Sequence, residues 1–195
     1  MRPFLLLAGL LLPAAASAVP VAVTVVGADG KPLAGAVVQL QASRAPAAAS
    51  GFAGPFVVAQ KDISFQPNIL IVPVGATVSF PNRDKVRHHV YSFSAPKRFE
   101  LKLYGREEAR TVTFDRPGIV ALGCNIHDTM SGFVVVVDTP YAAVTDARGR
   151  VSFDAAPGAA RVSVWHPSIR APGNTLAQPA TIGAQGLAAT LTVRR

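Results

Sequence analysis

The segment Gly123-Cys124-Asn125-Ile126-His127-Asp128-Thr129-Met130 constrains this 195-residue chain more than any other. It stands between the apolar runs 119–122 and 133–137, and carries a thiol, an imidazole and a thioether at three-residue steps. A tight loop after a strand turns three such side chains toward one point, because each step leaves room for a turn between donors. Cys124 is the single cysteine, so no intramolecular disulfide is open to it. It is left as a ligand, a buried thiol or an intermolecular link.

This donor set suits a soft cation, copper above all, if a second imidazole arrives from elsewhere. His88 or His89, in the strand-like run 86–93, can supply it. Strand alternation points one of the two inward and one outward, without choosing between them. Two imidazoles and a thiolate in a plane, with Met130 as a weak axial contact, lie between the preferences of Cu(I) and Cu(II). The expectation is one copper ion per chain, changing oxidation state with little rearrangement. With every position filled by protein, nothing is left for substrate or water, so the chain is not expected to be an enzyme. No glycine-rich nucleotide loop, zincin motif or nucleophile elbow is present. A Cys124–His127 acyl-transfer pair would leave Met130 unexplained. His166, before Pro167, has no spaced partner and reads as a turn residue.

Half of the residues are apolar and 15% are charged, which predicts a packed core. Sixteen glycines and sixteen prolines among many valines favour strands and turns over helices. The expected fold class is all-β. Residues 21–26 read as a strand, 27–32 as a turn and 33–40 as a returning strand; this hairpin needs a second layer to bury its apolar face. Residues 44–51 read as a linker. Short strands follow at 56–60, 68–72, 77–80, 86–93, 110–114, 119–122 and 133–137, with 99–105 less regular and loop-like. That series predicts a closed sandwich or barrel. Alternating runs at 150–153, 161–165 and 188–193 then supply three or four more strands, enough to complete a second small sandwich with the first hairpin. The expected organisation is nested: 19–48 and 139–195 form one β-unit, and 54–138 is inserted between them. Two units in succession are the alternative.

Residues 1–18 read as an export signal: Arg2, an apolar stretch over 4–12 and the small-residue site Ala16-Ser17-Ala18. The stretch is too short to span a bilayer, so no stable membrane insertion is expected after cleavage, and the periplasm is the expected compartment. Formal charge is +8, or 8 − 1 = +7 without Arg2. Basic residues are dispersed with no interleaved aromatics, which argues against nucleic acid. A positive surface can steer an acidic protein partner.

Residues Phe65-Gln-Pro67, Val74–Val78 and Phe80-Pro-Asn-Arg-Asp84, followed by His88-His-Val90, resemble the early strands and first ligand of the cupredoxins, the blue copper family. Cys124-Asn-Ile-His127-Asp-Thr-Met130 resembles that family's ligand loop in the short amicyanin spacing. The resemblance covers about 54–138 and implies a Greek-key cupredoxin β-sandwich. It selects His88, Cys124, His127 and Met130 as the copper ligands, and places His89 where a backbone amide points at the thiolate. Ile126 stands where many members carry proline, and Arg87 beside His88 is a charged departure. Asp128 and Thr129 make the ground around His127 more polar than the family's usual apolar port.

The flanks resemble a carboxypeptidase regulatory-like, transthyretin-like β-sandwich through Asp29–Val37, Thr145–Phe153, Pro157-Gly158 and Val162–Trp165. The combination is similar to exported methylamine-utilisation or plastocyanin-like proteins, a label that establishes no link to methylamine oxidation. The resemblance implies a periplasmic type 1 copper protein carrying single electrons between redox protein partners. A copper chaperone or sensor, and a structural β-sandwich protein with a vestigial site, are the other readings.

Overall fold

The computed structural model describes residues 17–45 and 51–195. Nearly all of the signal expected over 1–18, and part of the linker over 44–51, lie outside the described residues. The regular elements are β-strands, apart from short 3-10 turns such as Pro172–Asn174. No helix of the described residues is long and apolar enough to cross a membrane.

The strands run β1 (Val19–Gly27), β2 (Val37–Ala42), β3 (Phe56–Val57), β4 (Ala59–Lys61), β5 (Ser64–Gln66), β6 (Ile69–Pro73), β7 (Ala76–Pro81) and β8 (His88–Ser92). They continue as β9 (Phe99–Tyr104), β10 (Ala109–Phe114), β11 (Gly118–Cys124), β12 (Ser131–Val137), β13 (Tyr141–Val144), β14 (Arg150–Ala155), β15 (Gly158–Trp165), β16 (Thr175–Ile182) and β17 (Leu187–Val193). The architecture is all-β and mostly antiparallel; β1–β17, β6–β12 and β3–β7 are parallel pairs.

Strands β3–β12 pair among themselves, in sheets ordered β6-β12-β11-β8-β9, β10-β7-β3 and β4-β5. The inward residues of the two larger sheets, among them Val78, Phe80, Val90, Phe114 and Val134, share a core with Phe65 of β5. Alternation on β7, where Ala76, Val78 and Phe80 are buried, and on β11, where Val120, Leu122 and Cys124 are buried, puts one face of each strand into that core. The remaining strands form sheets β14-β1-β17 and β13-β2-β15-β16, around a separate core of Val21, Val23, Val25, Val38, Leu40, Val162 and Leu191.

β1 and β2 are not the hairpin expected from residues 21–40. They lie in opposite sheets and face each other across the core. The reason is a crossing turn: only Val26 and Pro32 bridge, and Gly35 takes a positive φ of 77° that glycine tolerates without cost. Thr145 then fixes the crossing from 109 residues away, its Oγ1 accepting from the Ala36 amide at 2.9 Å and donating to the Leu33 carbonyl at 2.7 Å.

Two other expectations change. The loop expected over 99–105 contains β9, an edge strand. Its Glu100, Lys102 and Leu103 are exposed, so its place comes from the ladder to β8 rather than from a clean alternation. A short hairpin, β4–β5, was also not legible. Its tip residues Asp62 and Ile63 have φ of 55° and 52° with neither glycine nor asparagine to mark the turn.

A third apolar cluster joins the two strand sets. Val135, Val137, Phe133, Ile69, Ile71 and Ile119, on the outer face of the five-stranded sheet, meet Val37, Trp165 and Ala142. The Phe133 and Trp165 rings meet edge to face at 4.8 Å. Trp165 is 3% exposed, so Trp165→Ala should lower unfolding stability by about 3–5 kcal/mol in a denaturant titration. Arg161→Ala, at an exposed position on the same strand, should stay within about 0.5 kcal/mol.

Candidate metal centre

Strand register brings the donors together. Val90 on β8 lies directly opposite Cys124 on β11, and both side chains point into the core. Residues two apart on a strand share a face, so His88 points the same way and becomes a diagonal neighbour of the thiol. His88 is therefore the inward imidazole. His89 faces outward.

The chain then turns through 125–129, closed by the Met130 amide bonding to the His127 carbonyl at 2.9 Å. That turn returns His127 toward Cys124. Cys124 Sγ lies 3.8 Å from His88 Nδ1 and 4.0 Å from His127 Nδ1. The three ligand atoms all lie within 4.8 Å of one another. Two donors each about 2.0–2.3 Å from an ion, at trigonal angles, stand roughly 3.5–4 Å apart, so these atoms fit a single metal ion. His88 and Cys124 are buried and His127 is half-buried, which leaves one imidazole near the surface. Met130 is buried in the same core cluster as Cys124. His166 belongs to the other strand set, where its Nδ1 meets Ser168 Oγ at 2.7 Å.

Behind His88 stands a carboxylate that the sequence reading did not assign. Its Nε2 donates to Asp84 Oδ2 at 2.7 Å, which fixes the tautomer and leaves Nδ1 free to ligate. Asp84 also accepts from the amides of Asp62 at 2.6 Å and Ile63 at 3.0 Å. Burial pushes the Asp84 carboxyl up, but the hydrogen bonds from His88, Ile63 and Asp62 outweigh it and hold it below the usual carboxylate range. One carboxylate thus orients an imidazole and secures the unmarked β4–β5 tip. The fully buried Asn82 braces the loop beneath, donating from Nδ2 to the carbonyls of Val86 and Tyr104 and accepting at Oδ1 from the Asp84 amide. The available signal was the i, i+4 spacing of Asp84 and His88 in a chain with few acids.

On the outer face, Asn125 Nδ2 lies 2.7 Å from His89 Nδ1, joining the residues that follow Cys124 and His88. With Asn125 donating, the His89 proton sits on Nε2. Glu100 Oε1 is 2.8 Å from that nitrogen, but outside hydrogen-bond geometry, so the contact is electrostatic proximity. Gly123 has no side chain because a Cβ there would meet the Tyr91 ring at 2.7 Å.

Two facing sheets with His, Cys and His converging at one end are a cupredoxin-like arrangement with the capacity to hold a metal ion. No family model matches the chain, and no curated protein does. Among solved structures, about half of this chain is similar to amicyanin. A reduced amicyanin mutant is 29% identical over 51% of this chain and 99% of its own, with a TM-score of 0.40. An oxidized amicyanin mutant is 31% identical over 51% and 98%, again at 0.40. The Cu-containing nitrite reductase (NirK) from Thermus scotoductus SA-01 is 32% identical over 43% of this chain, with a TM-score of 0.41. The chain spans 22% of that reductase.

Removing the carboxylate with Asp84→Ala should weaken metal binding about 10- to 100-fold, read by competition with a chromophoric Cu(I) chelator while circular dichroism reports the fold. Unchanged affinity would show that Asp84 does not hold the imidazole for ligation.

Proposed function

We propose that the chain is a type 1 copper protein of the cupredoxin kind that carries single electrons between redox protein partners. The observation that carries this reading is the convergence of His88 Nδ1, Cys124 Sγ and His127 Nδ1, with His88 locked by Asp84. Bound copper would supply a one-electron couple. His88 and Cys124 hold two donors in a rigid, dry sheet, so little has to move when charge changes. His127 offers the partly exposed edge for exchange with a partner. Met130, buried in the same core cluster as Cys124, is proposed as the weak axial donor.

Burial of two of the donors favours electron transfer over a chaperone or sensor, which must release its ion readily. Slow metal exchange with fast electron exchange separates the two. We further propose that 54–138 is the copper domain and that 19–48 with 139–195 form a transthyretin-like, carboxypeptidase regulatory-like docking module. The chain would act in the periplasm after removal of 1–18, without catalysing a reaction of its own.

Anaerobic copper titration should give one ion per chain, an intense visible thiolate-to-Cu(II) charge-transfer band and a narrow copper hyperfine splitting. Colourless, redox-silent protein after stoichiometric loading would reject the reading. Cys124→Ser should abolish the band, whereas His89→Ala should leave it largely intact. Loss of colour on changing His89 alone would move the first ligand by one residue.

A further inference from the structure

The flanking strand set leaves one sheet edge open to further pairing. In the sheet β14-β1-β17, β17 bonds β1 on one side only. Among the described residues, the backbone of 187–193 makes no hydrogen bond beyond that ladder. An edge strand presents a row of unpaired amides and carbonyls, and proteins blunt it with charge, proline, a bulge or short length.

The other outer strands of the larger sheets are blunted in those ways. β14 carries Arg150 and Asp154, β10 carries Arg110, and β9 carries Glu100 and Lys102 with a register shift against His88 and Val90. β6 and β16 contain Pro73 and Pro179, and β3 and β13 are only two and four residues long. β17 has seven residues with no charge and no proline, and pairs along β1 without a register shift. The chain carries no Asp, Glu, Lys or Arg from Ala171 through Val193, so the preceding strand β16 brings no charge to this edge either.

The strand's own sequence decides what fits there. Ala188, Thr190 and Thr192 are exposed, Leu187 and Ala189 are half-buried, and Leu191 and Val193 are buried. Antiparallel pairing about a two-fold axis at Thr190 sets Thr190 against its own counterpart, Ala188 against Thr192, Ala189 against Leu191 and Leu187 against Val193. On the outer face threonine then meets threonine or alanine, and on the inner face each half-buried side chain meets a buried apolar one. Arg194 falls opposite Gly186, so a chain of net charge +8 sets no two cations face to face along the strand.

We propose that β17 is the joint of a symmetric homodimer, in which a second copy of this chain adds its β17 antiparallel and makes the two three-stranded sheets continuous. The same patch serves both copies, so the assembly closes at two. The joint uses no residue of the metal centre, and the proposal stands apart from the electron-carrier reading.

The test is sedimentation velocity of the metal-free chain from micromolar to millimolar concentration. The sedimenting mass should double as concentration rises. Thr190→Lys and Thr190→Glu each set like charges face to face at the axis, and each should weaken self-association about fivefold. An equimolar mixture of the two variants should restore it. Ser152→Lys, exposed on β14 at the far edge of the same sheet, should leave the dimer unchanged. Circular dichroism reports the fold of each variant. A mass that stays monomeric to millimolar concentration, a dimer indifferent to charge at 190, or a loss that the mixture does not restore would overturn the proposal.

Discussion

The pairing of Val90 with Cys124 across β8 and β11 is the contact on which the site depends. Because the two residues are directly opposite, the thiol inherits the inward face of the sheet, and the residue two places back on β8 arrives beside it. A slip of one residue on β11 would turn the thiol to the outer face, and a slip on β8 would bring in His89 in place of His88. The register is fixed by burial, since Val90, Val120, Leu122 and Val134 all enter one core. The metal-binding capacity is therefore a by-product of the same alternation that closes the sandwich.

Around that pairing the polar groups are few and used more than once. Asp84 orients an imidazole and holds a hairpin tip in which Ile63 takes a positive φ that a β-branched residue disfavours. Asn82 ties the loop that carries Asp84 to two carbonyls and to the Asp84 amide. On the outer face, Asn125 and His89 join the residues that follow two donors. The flanking strand set contributes in another way. It covers the outer face of the five-stranded sheet at β6, β11 and β12, and leaves the metal-bearing end open.

The readable parts of the sequence were those governed by local pattern. Cys124, His127 and Met130 share a loop, so their spacing alone suggested convergence, and the valine-rich runs on either side declared themselves as strands. Elements held by distant groups were harder to see. Residues 33–36 looked like the return of a hairpin because Thr145, which sends the chain into the opposite sheet, lies more than a hundred residues away. The β4–β5 tip sets the β-branched Ile63 at a positive φ, and Asp84, which binds its amide, lies 21 residues away. β9 is an edge strand with exposed side chains, so its ladder shows only in the fold.

The sequence by itself determined that this chain is all-β, that its lone thiol shares a loop with an imidazole and a thioether, and that a copper site there would draw a second imidazole from another strand. Those conclusions follow from composition, period and spacing, which act within a few residues of one another. Strand alternation left His88 and His89 open and the resemblance selected His88; only the tertiary structure puts that buried imidazole 3.8 Å from the thiol, with a carboxylate behind it. Each of these depends on strand register and loop closure. A sequence read in order carries no distance between residues that are far apart along it.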